Sequence, residues 1–133
     1  ADPIASFDVG PNAFRETTYG SNRVRHIALL PRGDRLHVLF TAIGDAPEHL
    51  LWSTIDMTRD WKDWRVSTPV AIMQPDMDYE CVRQPTAPSQ VGDVAGDVRQ
   101  IRDPYILEDE GKTYVYYAIC GEQGVAGAEI SLP

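Results

Sequence analysis

The sequence lacks several features that would place it in common functional classes. No apolar run approaches the ~18 residues that a membrane-spanning segment needs. Basic residues are few, with 12 Lys and Arg against 20 Asp and Glu and a net charge of −8, which opposes the phosphate contacts that dominate nucleic-acid binding. There is also no phosphate-binding glycine loop, Gly-x-Ser-x-Gly elbow or Cys-x-x-Cys pair. We therefore expect no membrane, no nucleic acid and no cofactor among its partners.

Cysteine is scarce, and histidine is both scarce and scattered. Cys81 and Cys120 are the only cysteines, too few for a disulfide framework. Whether they pair stays open, because sequence alone cannot place two sulfurs within bonding reach. His26, His37 and His49 lack a ligand spacing such as His-x-x-x-His. The sequence therefore predicts no metal site.

The bulk composition is that of one globular domain. The chain has 133 residues, of which 43% are hydrophobic and 24% charged, which is ordinary for a folded domain and enough for one core. The first residues, Ala1-Asp2-Pro3, include neither an initiator methionine nor a leader pattern. We therefore expect a processed or trimmed product, and the compartment stays open between cytoplasm and secretion.

The chain contains an internal repeat. Val24-Arg25-His26 matches Ile101-Arg102-Asp103 at an offset of 77 residues (103 − 26). The offset continues through the pairs Leu29/Ile106, Arg35/Lys112, Val38/Val115, Phe40/Tyr117 and Gly44-Asp45/Gly121-Glu122. A self-match at a fixed period is the signature of a repeat architecture.

Each copy has the pattern of an antiparallel β-meander. The first copy predicts strands at 26–30, 35–43 and 50–56, and the second predicts strands at 105–108, 113–120 and 125–130. In the central strand of each copy both alternating sets contain apolar residues, so we expect both faces of these sheets to be covered. The first copy has a fourth strand available at 65–73. The second has none, and we expect residues 4–9 to supply it.

One stretch of the second copy carries a resemblance to a known family. Arg102-Asp103-Pro104 stands directly before two strands joined by the turn Glu110-Gly111-Lys112. This motif resembles the blade-opening motif of glycosidase-like five-bladed β-propellers of the invertase and arabinanase type. The resemblance implies an all-β fold of about two four-stranded antiparallel blades, a partial propeller. Its parts are a closing strand (1–10), a first blade (24–73), a long loop (74–100) and a second blade (101–130).

Two blades are fewer than any closed propeller contains. They would leave apolar sheet faces open, which soluble monomers rarely tolerate. We therefore expect a homo-oligomer, a dimer or a trimer, that completes the ring.

The resemblance also implies carbohydrate as the partner and names candidate catalytic residues. In these families a blade-opening Asp-Pro carries an active-site aspartate, a role that falls here on Asp103. Tyr79-Glu80-Cys81 resembles the Glu-Cys pair that supplies the acid/base, which assigns that role to Glu80. Glycoside hydrolysis uses two such carboxylates. The chain departs from the family pattern in that Glu80 precedes Asp103, and His26 occupies the equivalent position in the first copy.

His26 and three arginines complete the candidate site. A histidine at a blade mouth can act as a base or bind a sugar hydroxyl, and a hydrogen-bonded structural histidine is the alternative. Arg25, Arg83 and Arg102 are candidate substrate-binding residues that orient carboxylates or bind an acidic sugar, with structural ion pairing as the alternative.

Three functions stay open on this sequence. The first is a glycoside hydrolase centred on Asp103 and Glu80. The second is a non-catalytic carbohydrate-binding propeller module, since no third carboxylate matches the family pattern. The third is a structural oligomer without a surviving site, because fold does not determine activity.

Overall fold

The computed structural model describes residues 13–132, which fold into two antiparallel β-sheets. The predicted closing strand, 1–10, lies outside the described residues. The first sheet has the order β1 (Val24–Arg32), β2 (Arg35–Ala42), β3 (Leu50–Asp56), β4 (Val70–Met73), and the second has the order β5 (Arg102–Asp109), β6 (Lys112–Ile119), β7 (Gly124–Ile130). The all-β prediction is therefore confirmed.

Helix is confined to short turns in the described part of the chain. α1 (Gly20–Arg23) has four residues, and two 3-10 turns span Trp61–Asp63 and Asp78–Glu80. None of the helices between residues 13 and 132 has the length and apolar character that a bilayer crossing requires.

The two sheets repeat the same irregularity at the same place. The pairing of β1 with β2 shifts register between Arg25 and Ala28, and the pairing of β5 with β6 shifts between Arg102 and Tyr105. Such a bulge bends the strand and re-aims the side chains at its start. The two register shifts are 77 residues apart (102 − 25), which is the offset of the sequence repeat.

The first sheet is covered on both faces, as its sequence pattern predicts; the same prediction is wrong for the second sheet within residues 13–132, where Tyr105 and Tyr116 on its far face are exposed. One face packs against the segment that precedes β1, where the rings of Phe14 and Tyr19 lie edge-on to Phe40, with centroids 5.0 and 5.9 Å away. The other face packs against the second sheet, with Leu39 and Leu50 facing Val115 in a second core. This stacking brings the first strands of the two sheets, β1 and β5, side by side.

The long loop after β4 is tied to the ends of both sheets. Ser89 exchanges backbone hydrogen bonds with Gly44 and Asp45, at 3.0 Å each, beyond β2. At the equivalent point of the second sheet, the Gly121 N–H donates to the carbonyl of Gln100 at 3.0 Å. A disulfide between Cys81 and Cys120 joins the loop to the end of β6.

Candidate functional site

The two repeat-equivalent residues, His26 and Asp103, meet at the start of the two sheets. His26 Nε2 lies 3.2 Å from Asp103 Oδ1, and both side chains are partly exposed. Both residues have a left-handed backbone, with φ of 52° and 48°, a conformation that non-glycine residues adopt at a cost. The bulge in each strand produces this geometry. The repeat thus places two polar side chains, one from each sheet, in a single solvent-accessible pair.

A buried ion network lies directly behind this pair. Arg25 and Arg102, which are also repeat equivalents, converge on the carboxylate of Glu48. Arg25 binds Glu48 through Nε and Nη2, and Arg102 Nε lies 3.2 Å from Glu48 Oε2. Both Glu48 and Arg102 are fully buried. Because one arginine comes from each sheet, Glu48 links the two sheets through charge.

Each of the three nitrogens of the buried Arg102 guanidinium has a hydrogen-bond acceptor. Gln100 Oε1 accepts from Nε at 3.1 Å and from Nη2 at 2.6 Å, and Glu122 Oε1 lies 2.8 Å from Nη1. A buried charge is tolerated when it is paired and hydrogen-bonded in this way. Arg102 is therefore held rigidly and faces the protein, which agrees with the ion-pairing alternative for this residue.

The charges around the pair shift its proton equilibria. Burial lowers the pKa of His26, and the Asp103 carboxylate opposes that shift without cancelling it. Burial alone would raise the pKa of Glu48, but hydrogen bonds from Arg25 and Thr41 and the charge of Arg102 lower it. Near neutral pH, His26 is therefore a neutral imidazole beside an ionised Glu48.

A neutral His26 holds one ring proton for two neighbours. Nδ1 lies 3.2 Å from the hydroxyl of Thr41, and Nε2 faces Asp103. The ring can donate to one of them and leaves its other nitrogen as an acceptor. An imidazole and a carboxylate at this separation can together bind a hydroxyl group or accept its proton.

Glu80 occupies a different environment from the one that the resemblance implies. It is buried, and its Oε2 accepts backbone hydrogen bonds from Asp76 and Met77 at 2.9 and 3.0 Å. Its Oε1 accepts a hydrogen bond of 2.6 Å from the hydroxyl of Tyr117. Burial and this carboxylate raise the pKa of Tyr117. Both oxygens of Glu80 thus hold the loop and the second core together, and neither bonds to Asp103 within residues 13–132.

Arg25 and Arg83, the other two candidate binding residues, differ in position. Arg25 Nη1 donates to the carbonyl of Gln90 at 3.1 Å, so it fixes the long loop as well as Glu48. Arg83 is exposed and pairs with Asp78 at 3.1 Å. Of the two, only Arg25 belongs to the network behind His26.

Glu48 is the residue that the sequence analysis passed over. It stands in a polar loop after Pro47, where a charged residue is normally solvated. The signal available was its position two residues before the apolar residues that begin β3 (Leu50-Leu51-Trp52). Thr41, in β2, and Gln100, two residues before β5, were also passed over, because a local sequence pattern does not show which polar residues face a buried charge.

Comparison with known proteins gives one distant relative. A protein of Acanthamoeba polyphaga mimivirus, described as uncharacterized, is 38% identical over 108 residues, which make up 80% of this chain and 30% of the viral protein. The chain thus spans about 30% of the length of the curated relative that it matches. No protein-family model matches the chain. No solved structure matches it significantly.

Proposed function

We propose that the chain is a carbohydrate-binding portion of a glycosidase-like β-propeller and that the His26–Asp103 pair forms its sugar site. The observation that carries the proposal is the meeting of the two repeat-equivalent side chains at one exposed position, 3.2 Å apart. Sugar hydroxyls are both donors and acceptors, so a carboxylate beside an imidazole offers complementary partners to a vicinal diol. The buried ion network behind the pair keeps it preorganised.

The same proposal covers the arrangement of the two sheets and the association of copies of the chain. The two sheets are blades of a partial propeller, packed face to face with their first strands adjacent. Another copy of the chain covers the side left open, as a dimer or a trimer. The repeated bulge and the stacking of the sheets support this arrangement.

Binding is favoured over hydrolysis by the state of the carboxylates. Hydrolysis needs an acid and a second carboxylate free to act on the sugar. Glu80 is engaged by three donors, and Glu48 is neutralised by two arginines. Asp103 is therefore the carboxylate of this group that is exposed, and within residues 13–132 it pairs with the neutral imidazole of His26 and with no arginine or lysine.

Hydrolysis is the second candidate, and the His26–Asp103 pair favours it. An imidazole whose pKa is lowered by burial is available as a base at neutral pH. The acid would then have to come from a residue that this geometry does not identify. Turnover of a chromogenic or reducing-end-labelled oligosaccharide by the parent protein, lost in Asp103→Asn, would establish hydrolysis.

The test of binding uses Asp103→Asn with a control on the same strand. Asparagine tolerates the left-handed backbone, so the variant keeps the local fold while losing the charge. Asp109→Asn, at the opposite end of β5, is the matched control. A glycan array identifies a ligand, and calorimetry should show at least about tenfold weaker binding for Asp103→Asn, with the control unchanged. Absence of any glycan ligand, or equal affinity in Asp103→Asn, would refute the proposal.

A further inference from the structure

The two side chains of the His26–Asp103 pair present hydrogen-bond acceptors to each other near neutral pH. Thr41 has a single hydroxyl proton, and it donates this proton to the carboxylate of buried Glu48. The Thr41 oxygen then accepts a hydrogen bond from Nδ1 of the His26 ring, at 3.2 Å. Because burial lowers the pKa of His26, the ring is neutral and has one N–H, so Nε2 presents a lone pair. Nε2 and Asp103 Oδ1 therefore lie 3.2 Å apart as two acceptors.

The charged groups at this position leave one negative charge in excess, and it lies at the exposed end. Arg25 and Arg102 are matched by the two carboxylates that they bind, Glu48 and Glu122. Asp103 is the remaining charge; its side chain is 48% exposed, and no arginine or lysine of the described residues pairs with it. A ligand with one positive charge would neutralise the group, whereas a sugar carboxylate would add a second negative charge beside Asp103.

We infer that the His26–Asp103 pair binds the protonated amine of an amino sugar. The inference rests on the proposed function and specifies the ligand of the same site. An ammonium group has three N–H donors and no acceptor, so it can donate to Nε2 of His26 and to the carboxylate of Asp103 at the same time. A sugar hydroxyl has one proton and can satisfy only one of these acceptors. Hydrogen bonds between an ammonium and a carboxylate are also about twice as strong as neutral ones.

The backbone holds the two acceptors in place. His26 and Asp103 have left-handed conformations, with φ of 52° and 48°, which non-glycine residues adopt at a cost. Two acceptors at 3.2 Å repel each other. A shared ammonium replaces that repulsion with two hydrogen bonds, so relief of the repulsion favours the amine in addition to its charge.

Matched ligands test the inference on the parent protein. Oligomers of glucosamine and oligomers of N-acetylglucosamine of the same length differ only in the acetyl group that removes the charge of the amine. Calorimetry near neutral pH should show at least about tenfold tighter binding of the amine form. Oligomers of galactosamine and their N-acetylated counterparts are a second pair, which guards against a requirement for one ring configuration.

Two variants separate a specific contact from general attraction to a protein with a net charge of −8. Asp103→Asn should reduce the preference for the amine to less than about twofold, and circular dichroism checks its fold. Asp109→Asn removes the same charge at the opposite end of β5 and should keep the preference. An equal reduction in the two variants would overturn the inference, because the amine would then be attracted by net charge alone.

The outcomes also distinguish the inference from the proposed function. If the N-acetylated or other neutral glycans bind as tightly as the amines and lose affinity in Asp103→Asn, the inference is overturned and the sugar site remains. If neither the amines nor the neutral glycans bind, both are overturned.

Discussion

Neutralising Glu48 should destabilise the fold more than neutralising any exposed carboxylate. In Glu48→Gln the buried Arg102 loses one anionic partner, although it keeps Glu122 at 2.8 Å and the amide of Gln100. Breaking a buried pair by removing one partner costs about 3–5 kcal/mol. Since the remaining acceptors and the partial exposure of Arg25 offset some of this cost, we expect a loss of about 3 kcal/mol.

Urea denaturation followed by tryptophan fluorescence measures this loss. With an m-value of about 1.5 kcal/mol/M, the midpoint should fall by about 2 M at unchanged m. Glu122→Gln is the control, because the Glu122 side chain is partly exposed, and a pair of that kind contributes at most about 1 kcal/mol. A shift for Glu48→Gln no larger than that of Glu122→Gln would refute the view that Glu48 is the central charge of the network.

The difference in unfolding free energy between the parent and Glu48→Gln should depend on pH. The pKa of Glu48 is lowered in the folded state, so the folded protein releases this proton more readily than the unfolded chain. The stabilisation is therefore fully present above the unfolded value near 4.5 and is lost as the pH falls through the lower folded value. The difference in unfolding free energy between parent and Glu48→Gln should shrink in acid and stay constant at neutral pH.

Three further predictions concern the groups around the site. Because the pKa of His26 is lowered in the folded state, the unfolded chain binds this proton first as the pH drops below 6.5. The unfolding free energy of His26→Gln should therefore fall less than that of the parent across this range. The same pH dependence in both proteins would contradict the shift. Tyr117→Phe removes the hydroxyl that donates to buried Glu80 and should cost about 2 kcal/mol in urea unfolding, whereas a neutral effect would mean that the carboxylate finds another donor. Reduction of the disulfide between Cys81 and Cys120 opens a loop with a sequence separation of 39 and should lower stability by about 4 kcal/mol on the loop-entropy relation; a thermal midpoint unaffected by reductant would count against it.

The strands could be predicted from the sequence because they depend on local patterns. Alternation and turn residues place the strand at 50–56 at its observed limits, Leu50–Asp56. The repeat offset predicts that Arg25-His26 and Arg102-Asp103 are equivalent, but the bulges that they occupy were not predicted. The fourth strand is shorter than predicted, since β4 is confined to Val70–Met73 and Val66 contributes only an isolated bridge to Ile55.

The network behind the site could not be predicted, because it depends on contacts between distant segments. Glu48 acquires its role only when arginines from both sheets converge on it, and no local pattern encodes that convergence. Glu80 was assigned to chemistry from a two-residue motif, which carries no information on burial. The pairing of Cys81 with Cys120 likewise required the path of the long loop.

The shared carboxylate of Glu48 has a consequence for how this repeat unfolds. Repeats that contact only their neighbours can often lose units one at a time. Here Glu48 and Arg25 belong to the first copy and Arg102 to the second, so separating the sheets would take one of two arginines from buried Glu48 and would leave buried Arg102 with Glu122 as its remaining carboxylate. Each sheet alone would hold a buried charge that has lost one of its partners. We therefore expect the two sheets to unfold in one cooperative transition. The two copies in the sequence have become a single folding unit.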